Sequence, residues 1–285
     1  MNETEFVAAL RKLPLHPGAR GLEDDCAVLT VGSETLIITH DMMAEGTHFL
    51  SGADMADVAW KLLAANLSDL AAKGAEPIGV LLGHSLGSGD ARFLEGLDEG
   101  LRTYGVPLLG GDTVATTGTS TYGMTAVGRA IHVPVPARAG ARPGDAVYVT
   151  GPVGRAMLGY EGDPEHLAAF NRPVPRLAEG LALAPIVSAM MDISDGLLLD
   201  CWRMAWVSGV TFALDGEAVP VASRARAGEC MRWGDDYELL FAAPEGAPLP
   251  VAAHRIGTVR ARGAAPLLLD EAPLADPATL GYRHG

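Results

Sequence analysis

Aspartates recur in short turns at the ends of apolar runs: GLEDDCAVL (Asp24, Asp25), IITHDMMAEGTHF (Asp41), VPLLGGDTVATTG (Asp112) and MMDISDGLLLD (Asp192, Asp195). Taken singly, each has an ordinary explanation, because Asp caps helices and forms Asx-turns, and Asp195 before GLLLDCW could be an N-cap. Taken together they point elsewhere. Anions delivered close to one another repel and need cations. Hard divalent ions take oxygen ligands, and Mg²⁺ is typically held by one or two carboxylates together with water and substrate phosphate. A carboxylate cannot bond a phosphate oxygen directly, so an acidic site for phosphates must interpose metal. The pattern predicts a nucleotide enzyme using several Mg²⁺ ions.

A further carboxylate, Asp69, sits in ANLSDLAAKGAEP, a stretch that otherwise reads as a buried helix ending at Gly74 with Pro77 beyond it. Helical spacing puts Asn66, Asp69 and Lys73 within about one 60° sector, with leucines and alanines over much of the remaining surface. Two readings stay open: an i,i+4 pair between Asp69 and Lys73, or a carboxylate facing the acidic site.

No GxxxxGK[ST] phosphate loop occurs, and none of the three lysines (Lys12, Lys61, Lys73) precedes Ser or Thr. Arg138 in ARAGARPGD is a candidate phosphate clamp, against simple solvation in a linker. VTGPVGRAM offers a glycine turn into a helix that could bind an anion, though ordinary strand-to-helix turns look alike. A rival chemistry lies in GHSLG, residues 83 to 87, which matches the G-x-S-x-G elbow of serine hydrolases, with Ser85 as nucleophile and Asp200 and His254 as triad partners. An elbow needs its helix to start directly after Ser, whereas a loop precedes Ala91 here, and this reading leaves the acidic turns unexplained.

The elements that must position these residues read as mixed α and β. TEFVAALRKL patterns as a short helix, DCAVLTV and TLIITHD as a strand pair joined by GSE, IGVLLGHSL as a strand, DARFLEGLDEGLRTYG as an amphipathic helix, and VPLLGGD and TYGMTAVGRAI as strands. The Pro- and Gly-rich stretch VPVPARAGARPGD marks a crossing between two domains, residues 1–132 and 133–285. Beyond it, AVYVTG, AMMDISDG and YELLFAAPEG read as strands alternating with helices in GRAMLGY and LLLDCWRMAW, an α/β domain. The expected fold class is thus α+β / α/β in two domains. The formal charge of −14 argues against nucleic acid as a partner. Neither a signal peptide nor a membrane span is visible, and Cys26, Cys201 and Cys230 suit a reducing compartment, so the expectation is a cytoplasmic protein with cysteines used for packing.

Read in order, TEFVAAL, EDDCAVL, ITHDMMAEGTHF, NLSDLAAKGAEP, YGVPLLGGDT, ARAGARPGD, VYVTG, RPVPR, ISDGL, GDDYELLF and GYRH resemble the thiamine-monophosphate kinase family, of the superfamily that includes aminoimidazole ribonucleotide and selenophosphate synthetases. The resemblance covers nearly the whole chain. It implies a strand-rich N-terminal domain that pairs with a second subunit in a homodimer, a C-terminal α/β domain, and transfer of the γ-phosphoryl of ATP to thiamine monophosphate in the cleft between them. It also implies Asp25, Thr39, His40, Asp41, Asp69, Asp112, Asp192 and Asp195 at the metal site. Tyr104, Gly111, Asp112, Arg138 and Ser194 are implied at ATP, and His48, Asp235 and Tyr282 at the acceptor. The chain departs from the family pattern at His40, usually Ser or Thr, at Asp235, usually Glu, and after GYRH, where Gly285 replaces an aromatic. Because a phosphate oxygen is already an anionic nucleophile, no general base is assigned.

Overall fold

The structure, a computed structural model, describes residues 3–282. Arg283 and His284 of the GYRH motif, and Gly285, lie outside the described residues. After helix α1 (Glu3–Leu10), strands β1 (Ala27–Val31) and β2 (Glu34–Ala44) form an antiparallel pair in the register Ala27↔Ile38, turned by Gly32 at φ 63°. Helix α2 (Met55–Ala72), β3 (Ala75–Leu86), α3 (Asp90–Tyr104), β4 (Leu108–Ala115) and β5 (Thr121–Ala130) complete the first unit. Its sheet runs β1-β2-β5-β3-β4, with β3 and β4 parallel and the other neighbours antiparallel.

Helix α2 starts where the Asp54 carboxylate accepts from Ala56 N at 3.0 Å, runs without Gly or Pro, and stops at Gly74, whose φ of 57° a side-chain-bearing residue would resist. It is apolar nearly all round because it is covered on several sides. Leu62, Leu63, Leu67 and Leu70 pack into the core under the first sheet with Phe93 and Leu97 of α3, while Ala71 and Ala72 join a cluster with strands of the second sheet.

The second unit follows the residues 131–144 crossing: β6 (Asp145–Val149), α4 (Arg155–Tyr160), α5 (Leu167–Asn171), α6 (Leu177–Leu183), β7 (Ala189–Asp192), α7 (Leu197–Ser208), β8 (Val210–Leu214), α8 (Ala227–Cys230), β9 (Leu239–Pro244), β10 (His254–Ala261), β11 (Leu267–Leu269) and β12 (Ala272–Leu274). These strands make one seven-stranded sheet in the order β12-β11-β8-β10-β6-β9-β7. Strand and helix do alternate early in this half, as the sequence suggests. The pairing is nonetheless antiparallel throughout except for β8 with β11, because β9 and β10 come late in the chain and insert beside β6. A core of α7 leucines, Met204 and Phe212 lies against this sheet. Among the described residues, no helix is long and apolar enough to cross a membrane.

The two faces of the first sheet differ. Strand alternation sends Thr39 and Asp41 of β2 toward α2, and His40 and Met42 to the opposite face, because successive side chains on a strand point to opposite sides. That outer face is open: all eight residues of β4 are exposed, and Met42, Leu81, Leu108 and Val114 are large apolar side chains at the surface.

Candidate active site

Five chain segments converge where the two units meet. The turn before β1 brings Asp24 and Asp25, the inner face of β2 brings Thr39 and Asp41, and α2 brings Asp69. The end of β7 brings Asp192, and the ISDG turn that follows brings Ser194 and Asp195. All but Thr39 line a cleft of about 590 Å³, together with Arg138, His48, Phe49, Tyr160, Phe170, Trp233, Asp235 and Tyr282.

Asp25, Asp69 and Asp192 form the centre of the cluster, each offering a carboxylate oxygen within 4.8 Å of the others. Hydrogen bonds aim them. Thr39 Oγ1 donates a very short bond to Asp69 Oδ2, and Ser68 Oγ donates to Asp192 Oδ2 at 2.6 Å. Asn66 accepts from the backbone N–H of Asp41 at 3.1 Å and donates to Leu62 O at 2.9 Å, fixing β2 to α2. Asp195 and Asp200 share Arg203, and the Asp195 N–H donates to Asp200 at 3.1 Å.

The electrostatics describe a site that resists holding all its charge unaided. Burial, then the neighbouring charges of Asp25 and Asp195, push Asp41 up to about 6, against the pull of Arg138. Burial, then Asp25, push Asp192 to about 8 although Ser68 favours its ionised form. Burial raises Asp69 well above the ordinary carboxylate range, reinforced by Asp41, Asp192 and Asp25. Crowded, buried carboxylates that repel one another are the donor set of a hard divalent cation, so the residues fit Mg²⁺.

The question raised by Asp69 is answered by Lys73. Its ammonium points away from Asp69 and pairs with Asp24 Oδ1 and Asp25 Oδ2, both at 2.5 Å. Asp24 is drawn the other way from its neighbours: burial works to raise it, but Lys73 and Arg20 hold it at about 2. Arg138 is no solvated linker residue. Its Nε and Nη2 reach Asp25 Oδ1 at 2.6 and 2.5 Å, and it lines the cleft. Beside the acidic centre, Cys26 is buried with its thiol directed at the Asp69 carbonyl, 3.6 Å away, and burial followed by the charge of Asp69 raises that thiol well above its ordinary range. Cys201 and Cys230 are also buried and unbridged, so all three cysteines are packing residues.

On the opposite side of the cleft, Asp235 accepts from Lys61 Nζ at 2.7 Å and from the Tyr237 hydroxyl at 3.1 Å. Lys61 is itself buried, also donates to His48 O at 3.2 Å, and lies 3.9 Å from the Phe170 ring centroid. The His48 ring accepts from Ala44 N at 3.1 Å. Charged Lys61 and Asp235 beside Phe49, Tyr160, Phe170 and Trp233 give this end a mixed polar and aromatic lining.

Four residues expected at the site stand apart from this cleft. His40 is on the outer face of β2, its Nδ1 2.9 Å from Thr125 Oγ1. Gly111 and Asp112 are on exposed β4, and Tyr104 closes α3 with its ring 5.5 Å from that of Trp60. The other candidates fare differently again. The VTGPVGRAM turn is filled from within, because Gly154 N donates to both Asp236 carboxylate oxygens, at 3.0 and 2.8 Å. Ser85 lies within β3, 2% exposed, donating to Thr121 O at 2.7 Å, while Asp200 is on α7 and His254 on β10; the hydrolase triad does not form. Sequence reasoning counted Asp24 among the acidic turns without giving it a ligand role, and it did not assign site roles to Lys61, Ser68, Lys73 and Arg203. The signal available was that two of the only three lysines lie on the apolar helix α2 or at its cap, where a cation must be paired.

A cleft between two such units, floored by buried carboxylates, defines a class. Residues 23–130, which carry Asp25, Asp41 and Asp69, match the family described as AIR synthase related protein, N-terminal domain. The thiamine-monophosphate kinase of Salmonella typhimurium is 38% identical over 270 residues, covering 83% of this chain and 81% of that protein, and that of Escherichia coli K12 is 35% identical over 253 residues, covering 79% and 76%. The chain belongs to the thiamine-monophosphate kinase family. Among solved structures, AaThiL complexed with AMPPCP and TMP superposes with a TM-score of 0.87 at 25% identity, covering 100% of this chain and 97% of that one. The Stenotrophomonas maltophilia thiamine-monophosphate kinase gives 0.76 at 30% identity, covering 95% and 96%.

Proposed function

We propose that this chain transfers the γ-phosphoryl group of ATP to thiamine monophosphate, giving thiamine diphosphate, by direct in-line displacement, with Mg²⁺ held by Asp25, Asp41, Asp69, Asp192 and Asp195. The observation that carries the reading is the triad of buried carboxylates within 4.8 Å, set in a cleft of about 590 Å³. The similarity to a kinase structure complexed with AMPPCP and TMP supports the choice of substrates.

An anionic phosphate attacking an anionic triphosphate is opposed mainly by charge, and Mg²⁺ supplies the neutralisation when bound. The remaining work belongs to the protein. Arg138 offers a planar guanidinium to phosphate oxygens, and Ser194 lines the same cleft. Lys61 holds Asp235 at the acceptor end, and Phe49, Phe170, Tyr160 and Trp233 cover the acceptor and exclude water that would otherwise intercept the phosphoryl group. No side chain is asked to remove a proton.

The open outer face of the first sheet, with Met42, Leu81, Leu108 and Val114, is proposed to pack against a second copy in a homodimer, by which Gly111, Asp112, His40 and Tyr104 would complete a site that they do not reach within their own chain. The free, buried thiols suit work in the cytoplasm. Incubating purified protein with ATP, Mg²⁺ and thiamine monophosphate should produce thiamine diphosphate, and addition of chelator should abolish it. Turnover with an aminoimidazole precursor or selenide, and none with thiamine monophosphate, would overturn the assignment.

A further inference from the structure

Lys73 is fully buried, and its ammonium reaches two other segments, the turn before β1 and β7. It pairs with Asp24 Oδ1 and Asp25 Oδ2 at 2.5 Å and donates to the Met190 carbonyl of β7 at 3.3 Å. Asp24 Oδ1 and Met190 O accept hydrogen bonds from it, whereas Asp25 Oδ2 meets it as an ion pair by charge and distance, without a hydrogen bond. One of these partners, Asp25, belongs to the carboxylate triad itself. The other oxygen of Asp25 is taken by Arg138. Asp25 therefore meets two protein cations, one on each oxygen, while Asp69 and Asp192 are held by hydroxyls, which bring no charge.

We infer that Lys73 is a positioning residue that acts as a resident cation: it holds Asp25 against Asp24 and weakens the cluster's grip on divalent ions until nucleotide arrives. This rests on the reading of the cluster as a metal site. A divalent ion approaching Asp25 in the nucleotide-free protein meets the like charges of Lys73 and Arg138. Phosphate oxygens would engage Arg138 and add negative charge beside the ion, which offsets that repulsion. Lys73 cannot be drawn away in the same manner, being enclosed at the junction of α2, β7 and the turn before β1. Metal loading is in this way made dependent on nucleotide, and the bare protein keeps its carboxylates at a tolerable separation without metal.

The test is a Mn²⁺ titration, read by electron paramagnetic resonance, of wild type and Lys73→Met, each with and without the ATP analogue AMPPCP. Methionine replaces lysine with an unbranched apolar chain of similar length. Without nucleotide, Lys73→Met should bind Mn²⁺ at least ~10-fold more tightly than wild type, because removing a unit charge a few ångströms from a divalent ion is worth more than that factor. With AMPPCP the difference should shrink. In chelator the variant should melt at a lower temperature than wild type, and added Mn²⁺ should restore more of its stability. If Lys73→Met does not fold in chelator, the charge-balanced pair Asp24→Asn with Lys73→Met carries the same expectation. Nucleotide-free Mn²⁺ affinity equal to that of wild type in the folded variant would reduce Lys73 to a structural ion pair and overturn the inference. Wild type that binds no Mn²⁺ even with AMPPCP would remove the metal-site reading and the inference with it.

Discussion

At Asp69, the geometry decides between opposite outcomes of one substitution. The side chain accepts from Thr39 and faces Asp25 and Asp192, with Lys73 turned to other partners. Asn retains an acceptor for Thr39 and has no carboxyl to ionise among buried, mutually repelling carboxylates, so Asp69→Asn should melt in chelator at the wild-type temperature or above it. Its stabilisation by Mg²⁺ with ATP should largely disappear, since that stabilisation follows affinity through mass action. A variant that is destabilised in chelator yet fully stabilised by Mg²⁺ and ATP would show that Asp69 is not a metal residue. At the other end of the cleft, Asp235→Asn removes the ionic partner of Lys61. Hydrogen bonds involving charged groups are worth roughly 1.5–3 kcal/mol, so KM for thiamine monophosphate should rise by ~10-fold or more while KM for ATP moves less than about twofold. Steady-state kinetics with each substrate varied would separate the two.

Among the elements, α2 carries the most, because a single helix contributes Lys61, Asn66, Ser68 and Asp69 and packs against both units. Its seating depends on close backbone approach. A Cβ added at Gly180 of α6 would lie 2.0 Å from Ala71 O and 3.0 Å from Ala71 Cα, and backbone there has little room to yield. Gly180→Ala should therefore cost ~1–3 kcal/mol in denaturant unfolding and lower kcat by moving Asp69, whereas Gly87→Ala, with nothing within 4 Å, should be neutral within ~0.5 kcal/mol. Equal stability of the two variants would argue against this tight contact. The elements were largely legible in the sequence: α2 with its Gly74 stop, α3 and the β1–β2 pair follow from local periodicity and turn chemistry. Pairing order was not, because the insertion of β10 between β6 and β8 depends on contacts far apart in the chain. The site divided similarly. Aspartates at the mouths of apolar elements could be read one by one, while the carboxylate partners of Lys61 and Lys73 lie 174 and 48 or more positions away, where spacing rules have no reach.

For the molecule as a whole, the cluster sets a pH dependence of the metal-free state. A carboxyl raised by folding holds its proton above the pH at which the unfolded chain releases it. The stability it contributes is present below about pH 4 and is lost as pH rises through its folded value, about 6 for Asp41 and about 8 for Asp192. In chelator the melting temperature should fall between pH 5 and 8, and Mg²⁺ with AMPPCP should flatten or reverse that trend, since divalent ions favour the ionised carboxylates. A metal-free melting temperature that rises across this range would contradict the electrostatics of the cluster. The proposed homodimer has its own test. Asp112→Asn and Asp195→Asn should each lose at least ~10²-fold in kcat/KM, from loss of charge stabilisation worth several kcal/mol. If Asp112 serves the partner's cleft, mixing the two inactive variants under subunit exchange should restore activity in the heterodimer, whereas two clefts each built from one chain would stay inactive.

Cys26 gives the cluster a chemical clock. Its thiol is enclosed between the turn bearing Asp25 and the α2 carbonyl of Asp69, and a thiol held protonated by burial is a poor nucleophile toward alkylating or disulfide-exchange reagents. Labelling of Cys26 then requires the turn and the helix to part. The rate at which it is modified measures how often the acidic floor opens, without any dye, tag or substrate. Ligands that draw the carboxylates together should slow that reaction, so the native sequence already contains a probe of cleft breathing that peptide mapping after timed alkylation can read.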